Sequence, residues 1–372
     1  MTNVFLFGTL CWPDLLHRVG GQTCPEGQAA VLNGFQVSWA KGHGFPAIHQ
    51  VTGSAAHGMV LRGCDAAVLN RLDHYESGFG YSLHPVEVQE PDGPLQAQVY
   101  LPPEGISAGE VWNLADWVRD YGALAYEASS EVMSVMGRIS AADMAQAYSM
   151  ILVRADARLK ARALPSPVSP SGLSHGDVTV HQHQQPYTRF FAMQEADISV
   201  PRFDGGPAQR MFRAAYMGTD AAIVLPYDPK TDRVLLVEQF RFGPFLRDDP
   251  NPWLIEPIAG RIDPSETPEA AAIRETQEEA GLILRALHQV HSGYSSPGSS
   301  TDYFNIYVGI TDIGDDAAIL GGLEDEAEDI QGHIMPFDDF LALLKSGQLP
   351  VVPLAVAGYW LALNRDELRN NS

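Results

Sequence analysis

Little in this chain marks an exported, membrane-spanning or nucleic-acid-binding protein. Its 372 residues include three cysteines, Cys11, Cys24 and Cys64. They make no C-x-x-C pair, so no disulfide framework is expected, and they read as thiols of a reducing cytoplasm. No apolar run approaches the ~18 residues that a membrane span needs. Met1 to Leu10 has neither a basic region nor a cleavage-site pattern, so no secretory leader is expected and a cytoplasmic protein is. Positive charge is scarce: 24 Lys and Arg stand against 46 Asp and Glu, a formal net charge of −22. Such a surface repels phosphate backbones and anionic lipid, which argues against nucleic-acid and membrane partners. A small anionic substrate remains compatible with it, provided that a metal and local arginines reverse the field. Internal repeats are also absent.

What is present suits two domains. Hydrophobic residues make up 45% and aromatic residues 9%, enough to fill ordinary cores. Residues 1–125 read as a small mixed α+β unit. Short β-type runs (Val4–Phe7, Gly34–Val37, Gly58–Leu61, Val86–Val88, Ala97–Tyr100) are interrupted by a helix over Asp65–Tyr75. Residues 126–176 read as a helical connector followed by a linker. Ser140 to Asp143 forms a capping-box start, and Met144, Ala147, Tyr148, Ile151, Leu152, Ala155 and Leu159 follow at helical spacing as a packing face. Ala163–Gly176, with three prolines and four serines, is the linker. Residues 177–372 read as a second α/β region. Strands are expected at Val178–Val180, Phe190–Val200, Ala221–Pro226, Val234–Gln239 and Tyr303–Val308. Helices are expected at Ala270–Ala280, Phe337–Ser346 and Ala355–Asn364. The histidines, His181 and His183 among them, show no metal-ligand spacing.

The chemistry concentrates in one stretch, Gly260 to Leu282, which reads G-x5-E-x7-R-E-x-x-E-E-x-G. Gly260 is expected to open a turn where the backbone comes close to a ligand. Pro264–Glu269 supplies turn and helix-start residues, and Gly281 ends the helix. Glu275 and Glu279 are four residues apart and share a helix face. Two carboxylates there repel each other unless a hard divalent cation intervenes, and oxygen ligands suit Mg2+ or Mn2+. Arg274 stands beside them, able to orient a ligating carboxylate. A solvated acidic helix face is the plainer reading, but seven specified positions share one spacing.

This pattern resembles the Nudix hydrolase family, which cleaves pyrophosphates linked to a nucleoside. The resemblance implies an α/β/α sandwich for residues 177–372. It makes Glu275 and Glu279 metal ligands with the carbonyl of Ala259, and Glu266 and Glu278 supporting ligands. Thr276 stands where the family has an aliphatic residue, which implies a local packing difference. The flanks are similar to the ADP-ribose pyrophosphatase branch. These are Trp253–Gly260, Ser296-Pro297-Gly298, with Pro297 sixteen residues past Gly281, and Glu238-Gln239-Phe240-Arg241. In that setting Arg241 holds the pyrophosphate or terminal phosphate, and Arg213 reaches across a domain-swapped homodimer. The acidic stretch Glu324–Asp329 then supplies Glu326 as the base that takes a proton from the attacking water, and Glu328 as an extra metal ligand. The implied substrate is a nucleoside diphosphate sugar, with AMP and ribose 5-phosphate as products from ADP-ribose.

The first hundred residues carry a second resemblance. Phe5-Leu6-Phe7-Gly8-Thr9-Leu10, with Leu72-Asp73-His74-Tyr75-Glu76 and Tyr81, resembles the γ-glutamylcyclotransferase-like fold. That implies a mixed β-barrel, a substrate carboxylate held by backbone N–H groups of Gly8, Thr9 and Leu10, and Glu76 as the acid/base. Phe7 replaces the fold's usual tyrosine, and Ser82 and Leu83 stand where an arginine often follows. The pairing of the two domains is similar to bacterial Nudix proteins labelled for tellurite resistance. Two other readings stay open: a bifunctional enzyme, and a nucleotide-binding sensor without turnover.

Overall fold

The computed structural model describes residues 1–165, 167–314, 320–321 and 329–370. The chain forms two compact units, Met1–Ala214 and Ala215–Ser372.

In the first unit β1 (Thr2–Leu6) leads into α1 (Pro13–Gly20). Next come β2 (Gly27–Ala40), β3 (Pro46–Cys64), α2 (Ala66–Glu76), β4 (Ser82–Glu90), β5 (Gly93–Leu101) and β6 (Ala108–Val111). The strand order β3-β1-β5-β4-β2 closes on itself through β2–β3 pairing, and β6 adds to β2 outside the ring. The β1–β5 pair is parallel and the others are antiparallel, so the result is a five-stranded mixed β-barrel. The short runs seen in the sequence belong to longer strands: β2 and β3 span 14 and 19 residues. Their register shifts between Asn33 and Phe35, where Gly34 takes φ +80°. An L side chain would be strained there, and β3 carries three more residues than β2 across the shift, within Val51–Ser54, an irregularity that bends the strand pair as the barrel closes. Phe5, Leu32, Ile48, Val60 and Val99 fill the interior.

Helices α3 (Leu114–Trp117), α4 (Ala123–Ser134) and α5 (Ala141–Ala163) follow. Ser140 caps α5 as its sequence implies: its Oγ accepts from the Asp143 amide at 3.0 Å. The apolar stripe of α5, including Met144, Ala147 and Ile151, is buried against α4 residues Ala128 and Val132. A three-stranded sheet of β7 (Thr179–Thr188), β8 (Ala192–Val200) and β9 (Gln209–Met217) comes next. Long-range polar bonds tie it to the helices. Arg154, 1% exposed, donates to both oxygens of Glu131 and, at 3.1 Å, to the carbonyl of Phe190. Gln185 of β7 donates to the same carboxylate at 2.9 Å. The unit boundary therefore falls at Ala214/Ala215, beyond the linker at 163–176.

The second unit is an α/β/α sandwich. Its strands are β10 (Asp220–Asp228), β11 (Arg233–Phe240), β12 (Trp253–Glu256), β13 (Ile258–Arg261), β14 (Ala286–Tyr294), β15 (Tyr303–Ile310), β16 (Leu320–Gly321) and β17 (Ile330–Pro336). Its helices are α6 (Phe242–Leu246), α7 (Pro268–Ala280), α8 (Phe337–Lys345) and α9 (Val352–Asn370). Among the described residues the sheet runs β14-β15-β10-β11-β17-β16, with only β10–β15 parallel. Strands β10 and β11 pair only at the hairpin end, at Tyr227↔Val234 and Asp228↔Arg233. Beyond it they diverge, β11 pairing with β12 and β10 with β13. The wedge so opened holds the segment 253–261 that feeds α7. Period-2 alternation sorts the strands between two cores. Ala222, Val224, Leu235 and Val237 face α7. Ile223, Leu225, Val234 and Leu236 face α8 and α9. Helix α9 runs six residues past the expected Asn364, because Arg365 and Arg369 both bond Asp232 at the β10–β11 turn.

Candidate functional site

Helix α7 carries the box. Thr267 caps it by accepting from the Ala270 amide at 3.1 Å, Pro268 occupies the first turn, and Gly281 takes φ +64° at its end. Its small inner face, Ala271, Ala272, Thr276 and Ala280, is buried on the sheet. Thr276 packs inward as the sequence implies, its hydroxyl satisfied by the Ala272 carbonyl at 2.7 Å. The loop before the helix is tight: Ser265 takes φ +67°, and the Asp263 amide donates to Glu266 at 3.1 Å.

The flank beside that inner face gathers charge. Arg274 donates to Glu266 at 3.0 and 2.9 Å, to Glu275 at 2.7 Å, to Glu278 at 3.0 Å and to the Arg261 carbonyl at 3.0 Å. Bonds from Glu266 first, then those from Glu275 and Glu278, hold its guanidinium well above the usual arginine range. Glu279 lies on the inner side of the same helix, 5% exposed. Three carboxylates thus surround one guanidinium, with a fourth buried beside them, so the cluster stays net negative.

Gly260 is not in a turn. It sits within β13, paired with Ala222, because the diverging strands extend the sheet through it. The close neighbour there is a side chain of this chain: a Cβ at Gly260 would stand 1.9 Å from the Glu275 carboxylate. Glycine there makes the space that the carboxylate fills.

The donor chemistry suits a hard cation: carboxylate oxygens, a backbone carbonyl at Ala259 on the adjoining strand, and surplus negative charge. Among the described residues no three His, Cys, Asp or Glu side chains already converge on one point. Arg274 occupies the carboxylates instead. Glu326 and Glu328, the other acids expected at the site, lie outside the described residues.

The flanking residues are placed as follows. Arg241 follows β11 and donates to Glu256 of β12 at 2.7 Å; the Arg241 amide bonds the Pro252 carbonyl at 2.8 Å. Glu256 is 8% exposed, and burial outweighs the arginine's pull, raising its carboxyl above the usual range. The sequence signal for Glu256 is a single acid ending an apolar strand, antiparallel to the strand that leads to Arg241. Pro297 lies on an exposed loop pinned to Tyr216 by bonds of 2.9 and 3.0 Å through Ser299 and Thr301. Arg213 lies in β9 within the first unit, exposed, donating to the carbonyl of its neighbour Phe212.

The first unit has its own acid. Gly8 and Thr9 begin a short 3-10 turn after β1, in which the Cys11 amide donates to Gly8 and the Trp12 amide to Thr9. The Leu10 side chain is core, 2% exposed, which leaves only its backbone for binding. A Cβ on Gly8 would meet Pro46 at 3.0 Å. Glu76 ends α2, and burial raises its carboxyl to about 7. Tyr81 donates to the Pro46 carbonyl at 3.2 Å, and Tyr100 donates to Asp73. The charge of Glu76 helps push up the phenols of Tyr75, Tyr81, Tyr100 and Tyr148, each raised first by burial. The sequence motif brings Tyr75 and Tyr81 beside Glu76; Tyr100 and Tyr148 join them from β5 and α5.

Comparison with known proteins agrees with both units. Residues 217–355 match the NUDIX domain, and residues 4–119 match the family described as gamma-glutamyl cyclotransferase, AIG2-like. The ADP-ribose pyrophosphatase of Escherichia coli (strain K12) is 32% identical over 201 residues, 54% of this chain and 95% of that protein. That of Haemophilus influenzae is 31% identical over 200 residues, 53% of this chain and 92% of that protein. The GDP-mannose pyrophosphatase of Cronobacter sakazakii is 32% identical over 158 residues, 42% of this chain and 81% of that protein.

Proposed function

Because this chain belongs to the Nudix hydrolase family, as a pyrophosphatase homologous to the ADP-ribose and GDP-mannose enzymes, we propose that it hydrolyses ADP-ribose to AMP and ribose 5-phosphate. The observation that carries this reading is Arg274 gathering Glu266, Glu275 and Glu278 beside a glycine that only the Glu275 carboxylate fills. Glu275, Glu279 and the Ala259 carbonyl, with Glu266, Glu278 and Glu328 in support, would hold Mg2+ or Mn2+. Bound there, the metal neutralises pyrophosphate charge and lowers the pKa of water.

This chain's own residues do the rest. Glu326 takes the proton from the attacking water. That water adds to one phosphorus, and the P–O–P bridge breaks with its electrons on the departing phosphate. Arg241 binds the phosphate oxygens, and Glu256 holds its guanidinium in the direction of approach. Arg274 keeps the acids of α7 in place while no cation is bound.

The test is a panel of pyrophosphate-linked nucleotides with Mg2+. ADP-ribose should show the highest kcat/KM, above GDP-mannose. If GDP-mannose or another compound leads, the chemistry stands and the substrate falls.

A second reading concerns the first unit and is favoured by Glu76, whose carboxyl is raised to about 7. A group poised near neutrality suits proton transfer. In this reading the α-amine of a γ-glutamyl amine attacks its own γ-carbonyl. Glu76 accepts the amine proton and returns it to the leaving nitrogen, giving 5-oxoproline and a free amine. Release of 5-oxoproline from γ-glutamyl dipeptides, lost in Glu76→Gln, tests it.

A further inference from the structure

The match to the cyclotransferase-like family ends at residue 119, yet the surroundings of Glu76 do not. Helix α5 begins over the turn that follows Glu76. Gly78 has no room for a side chain: a Cβ there would stand 2.1 Å from the Ala141 carbonyl and 3.1 Å from Ala145. One turn further along α5, the ring of Tyr148 meets Phe79 edge-on at 5.0 Å between centroids. Tyr75 and Tyr148 are both packed on the apolar cluster that joins α4 to α5. The α5 backbone and a tyrosine from α5 therefore pack directly on the turn 77–79.

We propose that α5 is a wall of the Glu76 site, and that Tyr148 is a positioning residue that fixes the Tyr75–Phe79 turn and keeps water from the carboxyl. The substrate class rests on the γ-glutamyl reading above; the wall rests on the packing of α5 against the turn 77–79, with the charge of Glu76 reaching the Tyr148 phenol. The other titratable groups that feel the Glu76 charge are Tyr75 of α2, Tyr81 after the turn and Tyr100 of β5, whose hydroxyl is held by Asp73 of α2. Burial is the cause that raises Glu76, and the Tyr148 phenol, itself pushed up to about 12, stays neutral at physiological pH. Tyr148 therefore acts by excluding water and not by charge. A barrel ending at residue 119 would lack this wall, and its acid would titrate lower.

The experiment is an NMR titration of the side-chain carboxyl carbon of Glu76 in the full chain. The resonance is assigned by its loss in Glu76→Gln. Wild type should titrate near the raised value of about 7. Tyr148→Phe, which keeps the ring, should leave the midpoint in place. Tyr148→Ala should bring it down toward the ordinary glutamate range as water enters. Tyr148→Leu, which retains apolar volume on α5, should fall between them and serves where Tyr148→Ala does not fold. A wild-type midpoint in the ordinary range overturns the proposal. So does a midpoint that neither Tyr148→Ala nor Tyr148→Leu moves, or one that Tyr148→Phe lowers as far as Tyr148→Ala. In parallel, 5-oxoproline release is followed. A shifted midpoint without turnover leaves the wall standing and removes the γ-glutamyl reading. Turnover with an unmoved midpoint does the reverse.

Discussion

Gly260 and Glu275 occupy one space. A Cβ on the glycine would stand 1.9 Å from the Glu275 carboxyl carbon, and it would project from a strand already paired with Ala222. Neither partner has room to yield cheaply, since Glu275 is also held by Arg274 at 2.7 Å. Gly260→Ala should therefore displace Glu275. Overpacking of this kind costs about 1–3 kcal/mol. The expected result is a protein that melts a few degrees lower but loses at least about 100-fold in kcat for pyrophosphate hydrolysis, the scale of a misplaced catalytic geometry. Near-normal kcat in a folded Gly260→Ala variant would show that the Glu275 position does not matter.

Arg274 joins the helix to its loop through three carboxylates and the Arg261 carbonyl. Arg274→Ala leaves those acids facing one another. We expect about 2 kcal/mol less stability in urea unfolding, the scale of hydrogen bonds to charged groups. The deficit should shrink in high salt, which screens the exposed part of the repulsion. A salt-independent deficit would mean that lost packing, not charge, is the cause.

The buried Arg154–Glu131 pair should be costly to break from one side. With both groups 4% exposed or less, removing Glu131 strands the Arg154 charge out of water, and removing Arg154 leaves Glu131 only the longer 3.5 Å contact with Arg158 and its bond from Gln185. Glu131→Leu or Arg154→Leu should each lose about 3–5 kcal/mol, and the double variant should recover much of that loss. Urea unfolding of the three variants checks it. Equal losses in single and double variants would contradict it.

Glu76 makes a pH-dependent contribution of opposite sign to a salt-bridged acid. Its folded carboxyl titrates at about 7 against an ordinary value of 4.5. Between those values the unfolded chain has given up the proton that the folded chain retains, so stability falls as pH rises across that window. Glu76→Gln removes the penalty. Its melting temperature should exceed wild type at pH 8 and approach it at pH 4.5. A difference that is the same at both pH values would exclude titration of this carboxyl as the cause.

The parts that sequence reading reached share one property: their signals are local. Thr267, Pro268 and Gly281 mark the ends of α7, Ser140 and Asp143 mark the start of α5, and period-2 alternation marks β10 and β11. What was missed depends on partners far away in the chain. Gly260 looks the same in a strand as in a turn, and the clash that decides its role comes from Glu275, fifteen residues on. The end of α9 has a weak apolar pattern and is held by Asp232, more than a hundred residues earlier. The sheet β7–β9 is tied to α4 and α5 by Arg154, Glu131 and Gln185, none of which advertises a partner in its own neighbourhood. Tyr100 and Tyr148 around Glu76 belong to the same class, contributed by β5 and α5.

One measurement bears most directly on the central claim. The full chain, dialysed against chelator, is given ADP-ribose, and AMP and ribose 5-phosphate are quantified before and after Mg2+ is added back, with Glu279→Gln in parallel. Products that form in wild type only after the metal returns, and fall at least about 1000-fold in Glu279→Gln, are the predicted result; loss of a transition-state contact in a buried site reaches that scale. Turnover of ADP-ribose in chelator, or equal turnover in Glu279→Gln, would contradict it.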